Sequence, residues 1–367
     1  MESMNVHPPQ YQKNTDIKFS ALRKDVFQKV RNLERSKKFE IKIKAFLFPF
    51  MYFLIYALLL LDGREEGVFY FSYFLLGILL VLNFLNLIHD AVHEVIFTSA
   101  KWMNKIYVYF FDLLGANSYI WKIRHLQLHH AYPNIMHWDS DFEQSPMVRV
   151  FPHAEAKKMH AYQHIYLPFM YPLYLFNWLI IRDFKDFFSK NAIVRKVVKI
   201  PGKEFIKLFL FKAFFFFYLL LLPKIVLDVA WSRILLGFCL MILTASLLSL
   251  LVLLSPHANI HSDFPEADEK GKMPYNWFEH QLKCTNDVSN DNFFIRFFMG
   301  SFNYHIAHHL FPNVHHVYYP EITKSIKGFA KENNLPYRQQ TLWQSLKGHY
   351  DLLKQNAVRE NIFEETM

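Results

Sequence analysis

Only two of the 367 residues are cysteine, Cys239 inside an apolar run and Cys284 in a polar one, and they show no paired or CxxC spacing. That excludes a disulfide framework and a thiolate metal site. No GxGxxG element occurs, so the chain carries no dinucleotide fingerprint. No solenoid-length repeat and no Pro/Gly/Ser linker divides it, and it reads as one domain with disordered ends. The first 44 residues are too charged to hold the apolar core of a secretory signal, which leaves targeting to the first apolar run. The formal charge is +9, but Lys and Arg are scattered between apolar runs without a basic stripe, so no nucleic-acid partner is expected.

What the chain has in abundance is apolar surface: 52% of residues are hydrophobic, 18% are aromatic, and Phe alone occurs 39 times. The apolar residues gather in runs at about 45–61, 67–88, 208–227 and 234–255, each near the length that crosses roughly 30 Å of hydrocarbon. Two membrane hairpins follow from this spacing. Residues 1–44 carry eleven Lys or Arg against five Asp or Glu, whereas the first hairpin turn contains Asp62, Arg64, Glu65 and Glu66. The positive-inside rule therefore puts both termini in the cytoplasm. Residues 17–38 have the pattern of a basic amphipathic helix, either on the membrane surface or solvated. Lys207 and Lys212 are placed to snorkel at the entrance of the second hairpin. Residues 166–181 are apolar but short and broken by Pro168 and Pro172, and read as interfacial.

Histidines recur at one-turn spacing wherever a predicted span ends: His89 with His93, His125 with His129 and His130, His257 with His261, and His305 with His308 and His309. In an α-helix His125 and His129 share a face, and His130 points about 100° away. Imidazole-dominated sites suit iron, zinc, copper or nickel. Zinc takes four ligands, and eight to ten candidates on one side of the membrane favour a dinuclear centre. Asp90, Asp139 and Asp141 could orient ligating imidazoles, while Asn117, Trp121 and Trp138 are candidates for lining a substrate tunnel or ordering the site. His7, His153, His160, His164, His315, His316 and His349 lie in polar stretches and read as surface residues.

Three of these clusters resemble the histidine boxes of the integral-membrane fatty acid desaturase family: His89-Asp-Ala-Val-His93, His125-Leu-Gln-Leu-His129-His130 and His305-Ile-Ala-His308-His309. The resemblance extends to 115–130 (GANSYIWKIRHLQLHH), 138–143, 277–286 (WFEHQLKCTN), 308–312 (HHLFP) and 335–337 (LPY), and is similar to the acyl-lipid and acyl-CoA branch related to front-end enzymes. It covers roughly residues 15–345. It implies an all-α membrane protein, with four transmembrane helices in two hairpins and a cytoplasmic helical cap holding a diiron site. The expected organisation is a cytoplasmic amphipathic segment 1–44, a desaturase domain 45–345 and a tail 346–367. The implied iron ligands are His89, His93, His125, His129, His130, His305, His308 and His309, joined by His257 or its rival His261.

The implied activity is O2-dependent insertion of a cis double bond into a fatty acyl chain linked to CoA or lipid. The third box opens with His305 where front-end relatives usually carry Gln, and His93 is followed by Glu94 where a small residue is common. No His-Pro-Gly-Gly motif of a fused cytochrome b5 domain is present. Electrons are therefore expected from a separate ferredoxin or cytochrome b5 type carrier, and the setting from a bacterial inner membrane. An unactivated methylene offers no acidic proton, so a metal oxidant in a water-excluding site is the chemistry to expect. A membrane diiron hydroxylase or ketolase acting on fatty acids, alkanes or carotenoids needs the same ligands. A metal transporter fits poorly, because its sites lie near the bilayer midplane and these histidines lie outside the apolar runs.

Overall fold

The computed structural model describes residues 8–12, 17–142, 145–254 and 256–357. His7, Glu143 and Ser255 lie outside the described residues, as does the end of the expected tail from 358 onward. Among the described residues, four helices are long and apolar enough to cross a membrane: Phe19–Asp62, Glu66–Val92, Gly202–Leu227 and Trp231–Leu253. The chain is thus a multi-pass membrane protein, and its spans contain the four apolar runs read from the sequence, apart from the last two residues of the fourth run. The stretch 166–181 is broken into short α, 3-10 and π pieces, and is not among these helices.

The first helix runs without interruption from Ile17 to Asp62. Its basic amphipathic stretch and its apolar stretch are therefore one rod. Leu22 and Val26 do not lie on a lipid surface or face water, because they pack into a second core with Phe278, Leu310, Phe311 and Ile322. That core belongs to a cap built from the short helices Trp277–Cys284 and His305–Leu310 and the longer Tyr319–Glu332. Two short parallel β pairs tie the cap together, Gln10–Gln12 with Lys272–Asn276 and Asp287–Val288 with Gln339–Gln340.

Between the spans, small residues permit close approach. A Cβ at Gly77 would sit 2.4 Å from the Met241 carbonyl oxygen, so the second and fourth spans touch there backbone to side. The third span widens into a π-helical segment at Phe217–Leu221. Two carbonyls in it, those of Tyr218 and Leu219, accept from the Tyr56 and Tyr73 hydroxyls, so polar groups within the bilayer are satisfied by neighbouring spans.

Lys212 departs from the expected snorkelling. Its ammonium turns inward, 2.7 Å from Asp183 Oδ2, with the Leu179 and Gly115 carbonyl oxygens completing its shell. Lys207 likewise pairs with buried Asp112 at 2.8 Å. A carboxylate within reach outweighs the headgroup region, because each buried carboxylate needs a counter-charge.

Candidate metal centre

The second span loses α-helical regularity just before its first histidine, where Phe84–Ile88 form a π segment. Asn83 and Asn86 flank or occupy that segment, and their side-chain amides donate to the Leu79 and Leu82 carbonyls, 2.8 and 3.0 Å away. Such back-bonding competes with the backbone ladder and opens the helix. His89 follows at once, aimed into the cap.

The second cluster also lies on a π segment, Ile123–His129, and the His130 amide donates to the His125 carbonyl at 2.9 Å, an i to i+5 bond. This wider winding changes the face on which His130 falls. The α-helical expectation that His130 points away is therefore corrected: His130 Nε2 lies 3.2 Å from His125 Nε2, and all three imidazoles of the box point into one site.

Nine buried histidines converge there. One group brings together His89, His93, His125 and His308, and a second His129, His257, His305 and His309; His130 joins His308 and His309 between them. Within each group the candidate ligand atoms lie within 4.8 Å of one another. Nε2 of His89 is 3.2 Å from those of both His308 and His125, and Nε2 of His257 is 2.8 Å from that of His309. Lone pairs this close repel unless a proton or a cation stands between them. The buried His93 Nε2 has no hydrogen-bond partner among the described residues. Separations of about 3 Å also match the edge of a polyhedron with metal to nitrogen bonds of about 2.1 Å.

The outer nitrogens are held. His129 Nδ1 is 2.9 Å from Asp139 Oδ1, His257 Nδ1 donates to the Cys284 carbonyl at 3.0 Å, and His309 Nδ1 is 2.9 Å from Gln281 Oε1. His308 Nδ1 lies 3.2 Å from the Tyr319 hydroxyl, and His89 Nδ1 3.3 Å from Asp90 Oδ1. Such partners fix tautomer and ring orientation, which is how metal-binding histidines are prepared. Burial, followed by the neighbouring imidazoles, holds His93, His125, His130, His257, His308 and His309 well below the ordinary histidine pKa. His305 is pushed down to about 3 for the same reasons. Burial also pulls on His129, but the Asp139 carboxylate outweighs it and raises the net value. The seven imidazoles so lowered are held neutral, and their lone pairs make a cation receptor.

A cavity of about 700 Å³ opens from this centre. His89, His125, His129, His257 and His305 stand at one part of its wall, and apolar residues such as Leu167, Met170, Leu250 and Leu253 at another. Trp121 lines it and stacks on His125, ring centroids 4.5 Å apart. Asp141 lines it as well, 3.6 Å from Arg124.

Other sequence candidates land elsewhere. His261 is exposed, so of the two rivals only His257 joins the cluster. Asn117 caps the helix Ser118–Lys122, accepting from the Ile120 amide at 3.0 Å, outside the cavity wall. Trp138 packs with Ile120, Ile123 and Phe187 in a separate core and does not line the cavity. His160, His315, His316 and His349, expected at the surface, are buried. Each finds hydrogen-bond partners inside, supplied for His315, His316 and His349 by residues remote in sequence. Gln281, Tyr319 and Lys44 were not singled out. The hint for Lys44 is its place as the last cation before an apolar run.

Fold and site together define a membrane protein with a buried multi-histidine cluster, a candidate metal site, beside an apolar cavity. A family profile described as "Fatty acid desaturase" matches residues 67–341, and the chain belongs to that family. It is an oxidoreductase, a fatty acid desaturase. Among curated relatives, the sn-1 linoleoyl-lipid 6-desaturase of Arthrospira platensis is 28% identical over 74% of this chain and 74% of its own. The acyl-lipid (8-3)-desaturase of Physcomitrium patens is 31% identical over 74% of this chain and 57% of its own length. The probable Delta(5) fatty acid desaturase C of Dictyostelium discoideum is 27% identical over 94% and 76%.

Proposed function

We propose that the chain is an acyl-lipid desaturase that holds two iron ions with nine histidines. The observation that carries this reading is the division of the imidazoles into two buried groups of four, with His130 between them. His89, His93, His125 and His308 would hold one ion, His129, His257, His305 and His309 the other, and His130 would complete the centre. When bound, the iron pair supplies the oxidising power that breaks two unactivated C–H bonds with O2. The balance is R–CH2–CH2–R′ + O2 + 2 electrons + 2 protons giving R–CH=CH–R′ + 2 H2O.

The residues around the cavity do the rest. Trp121, Phe84 and Phe302 form an apolar wall beside His89 and His125, which holds the methylenes against the histidine centre and excludes water. Leu173, Ile180 and Ile181 line the cavity and are also exposed, so its apolar surface continues outward onto the interfacial stretch. A lipid-borne chain can enter there without crossing water. The names of the cyanobacterial and moss relatives, both acting on lipid-linked chains, support the same carrier.

With both termini and the cap in the cytoplasm, as the charge pattern of the first hairpin supports, an acidic ferredoxin or cytochrome b5 type donor would meet exposed Lys101 and half-buried Lys122 around Glu94, one residue beyond His93. The test is gas chromatography with mass spectrometry of total fatty acids from a desaturase-poor host, beside a His308→Ala control. New unsaturated chains absent from the control are expected. Hydroxylated products, or an unchanged profile from iron-loaded protein supplied with a reductant, would overturn the reading.

A further inference from the structure

Lys44 is fully buried where the first span enters the cap. Its ammonium touches three acceptors: Asn86 Oδ1 at 3.1 Å, the Arg296 carbonyl at 3.0 Å and His316 Nε2 at 2.9 Å. An ammonium only donates, so His316 Nε2 must accept and its proton must sit on Nδ1. That Nδ1 lies 2.6 Å from Asp90 Oδ2 and donates to it. His315 accepts the Val317 amide at its Nδ1, 3.3 Å away, which puts its proton on Nε2, 3.1 Å from the same carboxylate oxygen. Asp90 Oδ2 is thus taken by two imidazole donors. Oδ1 is left for His89 Nδ1–H, and the lone pair of His89 Nε2 faces His125 and His308.

We propose that Lys44, His315 and His316 are positioning residues that lock the tautomer and aim of His89 through Asp90, an inference resting on the reading of His89 as an iron ligand. The relay starts on the first membrane helix and ends at the metal centre. Asp90, His315 and His316 lie close enough together to hold a cation of their own. The Lys44 ammonium opposes that alternative, since by donating to His316 Nε2 it keeps the ring proton on Nδ1, the nitrogen that faces Asp90, and it places a positive charge beside the would-be ion.

The test uses full-length protein purified in detergent and loaded with iron-57, as wild type, Lys44→Met, His316→Leu and His316→Asn. Iron per chain, the Mössbauer spectrum, kcat and KM are read together. Two irons per chain are expected in the wild type. Lys44→Met and His316→Leu should change the spectrum of one iron and lower kcat about tenfold with KM within about twofold, the scale on which such supporting partners act. His316→Asn keeps an N–H toward Asp90 and should recover most of the loss. Because both His316 variants lose the Lys44 contact and differ chiefly in the Asp90 contact, their comparison stands even if Lys44→Met fails to fold. A wild-type spectrum and kcat in His316→Leu would overturn the inference while leaving the diiron reading intact. So would a third metal in the wild type that His316→Leu removes. A wild type that binds no iron would instead bring down the reading on which the inference rests.

Discussion

His125 and His130 meet through their Nε2 atoms at 3.2 Å although they are five residues apart, because the helix between them is wound as π rather than α. His130 in turn is grouped with His308 and His309, one from each four-histidine set. Removing it should therefore weaken both positions. His130→Ala is expected to cost more bound iron than His93→Ala, which belongs to a single set. Metal analysis of the two purified variants decides this, and equal losses would count against a shared role for His130.

Asp139 holds His129 from outside, 2.9 Å from its Nδ1, and also accepts the Asn134 amide at 2.8 Å. Asp139→Asn replaces a carboxylate by an amide of the same shape. Iron affinity or activity should fall about 10- to 100-fold, with the protein still eluting as a single species. Retained affinity, measured by competition with a chelator, would show that the carboxylate charge is dispensable.

Burial pushes His280 and His349 down to about 4, below the usual 6.5 of an unfolded chain. Between these values the unfolded state binds more protons than the folded one, so stability is greatest above about pH 6.5 and declines as pH falls toward 4. Each group contributes up to about 3 kcal/mol across that window, at 1.36 kcal/mol per pKa unit. Thermal unfolding of metal-stripped protein between pH 7.5 and 4.5 should show a falling Tm, with a shallower slope in His349→Gln. A slope unchanged by that substitution would remove His349 from the account.

Leu250 is buried at the end of the fourth span and lines the cavity. Leu250→Trp adds bulk to the apolar wall without touching the histidines. Long acyl chains should lose about tenfold or more in turnover while shorter ones are spared, as overpacking displaces a ligand before it unfolds the protein. Product profiling by chain length, with iron content as control, tests this.

The spans and histidine boxes were legible because both are written in short-range patterns: apolar runs of bilayer length, and imidazoles at one-turn spacing. His130 was expected in the site, but its turn toward His125 was not legible because nothing local announces a π segment; the competing Asn83 and Asn86 amides show their effect on the second span only once their carbonyl partners are seen. His316 and His349 looked like surface residues because their partners are far along the chain. Asp90 lies 226 positions from His316, and the Ala258 carbonyl lies 91 from His349. Lys212 was assigned to the headgroups for the same reason, since Asp183 belongs to a different stretch. The amphipathic stretch 17–38 had a correct apolar face and a wrong partner. Periodicity says that a face is buried but not what covers it.

The uninterrupted helix from Ile17 to Asp62 is anchored at one end among cap residues and at the other between membrane neighbours. One continuous hydrogen-bonded rod therefore joins the core of the cap to the core among the spans, so a displacement at either end is carried along the helix axis to the other.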